Sequence, residues 1–156
     1  MYTYTEKVYT YTHSTTIYRP NGVVYIMKFK RGIDKEREVV RWLINQGFMA
    51  VRCAGSGGGT KLPRPDIIAG DGLFHYAIEL KSSKADVVYI SADQVAELKQ
   101  FCAGFGAIPL VCANFTYMSP IFVKPERLSI TKGLNYKISR QDIKKGLFSD
   151  LRSPAE

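Results

Sequence analysis

Apolar positions first settle into helical spacing between Ile33 and Gly47, where Val39, Val40, Leu43 and Ile44 repeat at three- and four-residue steps and Gly47 offers a stop. Glu36 and Arg37 then lie about one turn into that helix. The run "FMAVRCA" reads as a strand, "GSGGGTKLPRP" as a glycine-rich loop and "DIIAG" as a short strand. Asp71-Gly72 reads as a tight turn and "LFHYAIELK" as the next strand. Ser91 with Gln94 three residues on has the form of a capping box. Val95, Leu98, Phe101, Cys102 and Phe105 form the apolar stripe of the helix it opens, which Gly104 and Gly106 end. "AIPLVCANF" is a buried strand and "IFVKP" another, "LSITKGLNYKIS" an edge hairpin around Lys132-Gly133, and Gln141–Leu147 a last short helix. The order predicts an α/β fold, a mixed β-sheet flanked by α-helices.

The first 26 residues stand apart. They alternate Tyr with Thr, which favours extended backbone, but hold few core-type aliphatics before Val23. We expect residues 1–26 to be a poorly ordered extension or an upstream start, and residues 27–156 to form the main domain. The alternative is a hairpin turning at Pro20-Asn21-Gly22, because Asn-Gly is a strong turn signal.

Composition narrows the function classes. Hydrophobic residues make up 46% and charged residues 23% of the 156, an ordinary globular balance. No apolar stretch reaches the roughly 18 residues of a membrane span, and the secretory order of basic, apolar and small residues is missing. Cys53, Cys102 and Cys112 are odd in number and lack CxxC spacing, so they read as small core residues in a reducing cytoplasm. A zinc site finds no support, since only His13 and His75 could add imidazoles. The net charge of +8, from 22 Lys plus Arg against 14 Asp plus Glu, favours a polyanionic partner.

The chemistry-bearing pattern lies in "RPDIIAGDGLFHYAIELKSSK". Asp66 follows Pro65, and Glu79-Leu80-Lys81 ends the strand after twelve intervening residues. Side chains 75, 77, 79 and 81 share one strand face, so Glu79 and Lys81 point the same way. A hairpin turning at Asp71-Gly72 places Asp66 roughly opposite residue 77 or 78, within reach of Glu79. Two carboxylates that close repel unless a cation lies between them, and hard oxygen donors suit Mg²⁺. A lysine beside them can orient the attacking water and stabilise developing negative charge. The plain alternative is an exposed ion pair at strand ends.

Pro65-Asp66 and Glu79-Leu80-Lys81, on a predicted hairpin after a helix carrying Glu36, match the PD-(D/E)xK nuclease pattern. More narrowly, Arg31 to about Phe122 resembles the archaeal Holliday-junction resolvases of the Hjc family. The carrying segments are "RGIDKEREVVRWLINQGFMAVRCAGSGGG", "PDIIAG", "AIELK" and "FCAGFGAIPL". The resemblance implies a restriction-endonuclease-like fold and a Mg²⁺-dependent endonuclease, with Mn²⁺ able to substitute, that resolves four-way junctions by paired nicks leaving 5′-phosphate and 3′-hydroxyl ends. It implies that Asp66, Glu79, Glu36 and the Leu80 carbonyl serve the metal, and that Lys81 and Ser56 of the glycine loop assist catalysis. By the same resemblance Arg37 and Arg52 contact phosphates, with Lys30, Arg31, Lys61 and Arg64 adding positive charge, and Phe101 and Phe105 help form a homodimer interface. The expected partners are four-way junction DNA, a second copy of the chain and, as a further candidate, a replication or recombination protein. The expected location is the cytoplasm of a prokaryotic or virus-infected cell. Residues 1–26 and those after Leu128 match the family pattern poorly.

Three rival readings remain at the level of sequence. Another PD-(D/E)xK repair or restriction-like endonuclease shares the triad and differs in substrate. A non-catalytic junction-binding protein leaves the retained charges of Asp66, Glu79 and Lys81 without a reason. A basic RNA-binding protein explains the +8 charge but not carboxylates at 36, 66 and 79.

Overall fold

A computed structural model of the chain describes residues 11–12, 15–18, 25–28, 31–54, 62–144 and 151. The chain divides into two units, residues 1–34 and 35–156. In the first, the Tyr/Thr alternation forms β1 (Tyr11–Thr12), β2 (Thr15–Tyr18) and β3 (Tyr25–Lys28). They pair antiparallel in that order, with Thr15 opposite Lys28 and Tyr18 opposite Tyr25. A boundary between residues 26 and 27 falls inside β3.

The second unit is organised by a five-stranded sheet. Its strands are β4 (Met49–Arg52), β5 (Ile67–Gly70), β6 (His75–Ser83), β8 (Ile108–Phe115) and β9 (Ile121–Val123), in spatial order β4-β5-β6-β8-β9. Neighbours run antiparallel except β6 and β8, which are parallel. Parallel strands need a crossover, and here the intervening chain holds β7 (Val87–Ile90) and helix α2 (Ala92–Phe105). The strand β7 was not expected from sequence. It joins a small second sheet in the order β10-β11-β7, whose β10 (Ser129–Ile130) and β11 (Tyr136–Ser139) are the expected edge hairpin. The last helix, α3, covers Arg140–Lys144; the rest of the expected span, through residue 147, lies outside the described residues.

Both faces of the large sheet are buried, and β-strand alternation sorts its side chains between them. Tyr76, Ile78 and Leu80 of β6 and Leu110 and Cys112 of β8 pack with Val39 and Leu43 of helix α1 (Arg31–Asn45). Ala77, Val111, Ala113 and Phe115 pack instead with Val95, Leu98 and Cys102 of α2. A strand buried on both faces reads as a continuous apolar run, which is why "AIPLVCANF" shows no alternation. Ile44, expected on the buried stripe of α1, is 48% exposed, and Trp42 instead stacks on Phe122 at 5.6 Å.

Helix ends follow the local signals. Ser91 Oγ accepts from the Gln94 backbone N–H at 3.2 Å while the Gln94 side chain answers at the Ser91 N–H, so the capping box is complete. At the other end Gly106 takes a left-handed φ of 78° and its N–H donates to the Cys102 carbonyl. The hairpin between β5 and β6 is held by Asp71, whose Oδ1 accepts from the N–H groups of Leu73 and Phe74 at 3.0 and 2.8 Å, with Gly72 at φ 91°.

Phe122 is fully buried and bridges β9 to α1 through Trp42. Phe122→Ala is expected to destabilise the unit by about 3–5 kcal/mol, as for other buried aromatic truncations. Denaturant unfolding checks this, and a loss below about 1 kcal/mol would show that the site collapses around the gap.

Candidate active site

The hairpin brings Asp66 and Glu79 together. Ile67 stands opposite Ile78, and the N–H of Asp66, just before β5, donates to the same Ile78 carbonyl at 3.0 Å, so Asp66 sits across from Ile78 and next to Glu79. That agrees with the sequence expectation of residue 77 or 78 across from Asp66, with Glu79 one residue further along. Glu79 shares the α2-side face of β6 with Ala77 and meets α2 there through Gln94. The Asp66 backbone is held from both neighbours, because its carbonyl also accepts from the Cys53 N–H at 2.8 Å.

Each carboxylate has defined donors. Asp66 Oδ2 accepts from the Leu80 N–H at 2.7 Å. Glu79 Oε1 accepts from Lys81 Nζ at 3.0 Å and from Gln94 Nε2 at 3.1 Å. Glu36, from α1, pairs with Arg52 of β4 at 3.0 Å. The Asp66 carboxyl nonetheless stands above its ordinary pKa, first because it is buried; the Leu80 N–H opposes that shift and the Glu36 charge adds to it. Glu79 is also raised, by burial and then by the Asp66 charge, with Lys81 pulling the other way. Burial, then the Asp66 charge, likewise push the neighbouring Cys53 thiol upward. The site is therefore richer in buried negative charge than its own lysine and arginine neutralise, which is the electrostatic setting of a cation site.

No three His, Cys, Asp or Glu among the described residues converge closely enough to hold a metal ion by themselves. Two carboxylates remain, and Mg²⁺ commonly uses one or two protein carboxylates and completes its shell with water. The donor set therefore fits Mg²⁺ and not a closed all-protein cage.

The other expected site residues separate into groups. Arg64 is exposed, two residues before Asp66, and its charge acts on Cys53. Arg37 is exposed on α1, one residue from Glu36. Arg31 is the first residue of α1 and its side chain lies outside the described residues, as do Lys30, Ser56 and Lys61. Phe101 and Phe105 stack at 5.1 Å; Phe101 packs partly on the core, whereas Phe105 is 53% exposed. Ordinary core packing therefore does not account for Phe105.

Comparison with known proteins agrees with this architecture. The model of the family described as archaeal Holliday junction resolvase (Hjc) matches residues 27–153. The chain belongs to the Hjc family. It is 38% identical over 117 residues to the crossover junction endodeoxyribonuclease Hjc of Archaeoglobus fulgidus, covering 75% of this chain and 85% of that protein. It is 33% identical over 114 residues to the Hjc of Methanocaldococcus jannaschii, covering 73% and 80%. The solved structure of the A. fulgidus Hjc, a Holliday junction resolvase, superposes with a TM-score of 0.68 at 37% identity, covering 75% of this chain and 95% of that one. The fold is thus restriction-endonuclease-like. The Hjc match also runs well past Leu128, so the C-terminal region expected to depart from the family belongs to it.

Sequence reasoning missed Gln94 as a neighbour of the site. The capping-box spacing identified its backbone role, but its reach to Glu79 depends on α2 lying over the Glu79 face of β6. Face arithmetic carried one step further, from Ala77 to Glu79 beneath the first turn of α2, was the available signal.

The raised carboxyls fix the sign of a pH effect. A carboxyl whose folded pKa exceeds its unfolded value binds its proton more tightly when folded. Its ionisation therefore costs stability, an effect absent below the unfolded value and complete above the folded one. In chelator at about pH 7.5, Asp66→Asn is expected to raise Tm by a few degrees, since asparagine still offers an oxygen to the Leu80 N–H. The gain should vanish by about pH 3, below the ordinary carboxylate range. Calorimetry across that interval checks it, and a variant less stable than wild type at neutral pH would contradict the repulsive pair.

Proposed function

We propose that this chain is a Mg²⁺-dependent, structure-specific DNA endonuclease that resolves four-way (Holliday) junctions by paired symmetric nicks. The observation that carries the reading is the half-buried Asp66–Glu79 pair, Asp66 just before β5 and Glu79 on β6, with Lys81 at 3.0 Å from Glu79, in a chain of the Hjc family. Asp66 and Glu79 hold the ion, with the Leu80 carbonyl as a further ligand and Glu36 acting through its water shell. When bound, Mg²⁺, or Mn²⁺ in its place, neutralises charge on the scissile phosphate and lowers the pKa of bound water.

The chain's own groups supply the rest. Lys81 orients the attacking water and stabilises charge developing on the phosphate oxygens. Arg37, Arg52 and Arg64, with Lys30, Arg31 and Lys61, make charge-assisted contacts to the DNA backbone. Arg52 exchanges its hold on Glu36 for a phosphate when DNA arrives. Ser56 of the glycine-rich loop adds a hydroxyl over the site. The products are 5′-phosphate and 3′-hydroxyl ends. Backbone contacts carry no direct sequence information, so recognition is chiefly of junction shape, as an enzyme acting on many sequences requires.

A four-way junction has two-fold symmetry, and its resolution needs two nicks on opposing strands. A two-fold homodimer presents two identical sites to it, with Phe101 and the exposed Phe105 in the interface.

The test is cleavage of a labelled immobile four-way junction against linear duplex of the same arm sequence. The wild type should cut only the junction, in pairs, and only with Mg²⁺; Asp66→Asn should lower the rate by about 10³-fold, the scale of losing a major electrostatic group. Equal cutting of linear duplex would point to another nuclease of the same fold, and tight junction binding without cutting under any metal would point to a binding protein. Junction affinity should fall steeply with salt. Phe101→Ala with Phe105→Ala should give a monomer by sedimentation and single rather than paired nicks.

A further inference from the structure

Gln94 occupies two hydrogen-bonding networks at once. Its amide oxygen accepts from the Ser91 N–H and lies 3.3 Å from Ser91 Oγ, and its backbone N–H donates to that same Oγ. The backbone N–H of Ser91 can only donate, so the amide oxygen must face the cap. The amide nitrogen is thereby turned outward, towards a carboxylate that only accepts, and it meets Glu79 Oε1 at 3.1 Å. The orientation of the amide is set by both neighbours rather than by choice of assignment.

Glu79 receives its second donor, Lys81 Nζ, on that same oxygen at 3.0 Å. Among the described residues no donor reaches Oε2. A glutamate has three side-chain torsions and loses much freedom when ordered. Two donors converging on one oxygen hold the carboxylate in place and leave its other oxygen for a ligand. One donor comes from the catalytic strand and one from the first turn of α2, and that turn is itself fixed by its cap.

We propose that Gln94 is a positioning residue of the nuclease site: its amide holds Glu79 through Oε1 and keeps Oε2 directed at the cation. This rests on the nuclease reading above and adds a residue to it. Groups that orient metal-binding side chains typically change metal affinity or activity by about 10–100-fold when removed. Lys81 cannot replace Gln94, because the same ammonium is needed for water and phosphate.

The experiment measures junction cleavage as a function of Mg²⁺ concentration, together with the rise in Tm that Mn²⁺ causes in the full chain. Gln94→Met removes the amide at similar size. Leu98→Val, a buried change on the same helix, controls for lost stability. Gln94→Met is expected to raise the half-saturating Mg²⁺ concentration by about 10-fold or more and to shrink the Mn²⁺-induced rise in Tm, while Leu98→Val keeps the wild-type metal requirement. Gln94→Glu covers the case in which Gln94→Met does not fold. It keeps an acceptor for the Ser91 N–H and so the cap that opens α2, but it sets a like charge against Glu79, which lowers Tm by a few degrees at neutral pH. Its rate at saturating Mg²⁺ should fall by about 10-fold. A wild type that cuts no junction overturns the nuclease reading, and the role of Gln94 with it. A wild type that cuts, beside a Gln94→Met of unchanged metal requirement or a Gln94→Glu of unchanged rate, overturns the role of Gln94 alone.

Discussion

Asp66 lies next to Glu79 because Ile67 pairs with Ile78, and the rest of the site depends on that register. Strand side chains alternate with a period of two, so a slip of one residue in β5 would turn Ile67 out of the α1-side core, and a slip in β6 would turn out Tyr76 and Ile78 and carry Glu79 to the other face. Ile67, Tyr76 and Ile78 are fully buried, and the neighbouring Ala77 is equally buried on the opposite side. Burial on two faces therefore enforces the pairing twice. The Leu80 N–H bond to Asp66 Oδ2 then links the carboxylate to the same strand that carries Glu79 and Lys81. The core is thus the device that holds two like charges side by side.

That arrangement opposes folding at the site itself. Both carboxyls are raised by burial first, and each feels a neighbouring carboxylate second or third in weight. One backbone N–H, one ammonium and one amide offset only part of this. A cation held between the carboxylates would offset both the burial and the neighbouring negative charge. Sites that need perturbed groups tend to give up local stability, and the two-sided core of the sheet supplies the surplus.

The parts of this fold that local chemistry dictates were legible from the chain alone. The capping box at Ser91, the left-handed Gly47 and Gly106, and the turn at Asp71-Gly72 each follow from short-range geometry. So did the two carboxylates and Lys81, because strand periodicity places Glu79 and Lys81 on one face. What escaped depends on partners far along the chain. The strand β7 is only four residues long and exists by pairing with β11, nearly fifty residues later. Ile44 fits the helical pattern, yet Trp42 takes the place against Phe122. The pairing of Ile67 with Ile78 is set by a four-residue loop at 71–74 rather than by a two-residue turn at Asp71-Gly72.

Gln94 shows why such a residue is invisible to pattern reading. Its spacing from Ser91 accounts fully for its identity as a capping residue, so no anomaly in the sequence asks for a second role. Only the position of α2 over β6 reveals that the capping side chain has a spare donor and that a half-buried carboxylate lies beneath it. The two helices approach the carboxylates from opposite sides of the sheet, α2 with Gln94 and α1 with Glu36 and its partner Arg52. The Glu36–Arg52 ion pair on one side and the Gln94–Glu79 hydrogen bond on the other therefore tie the candidate site to two separately packed layers of the fold.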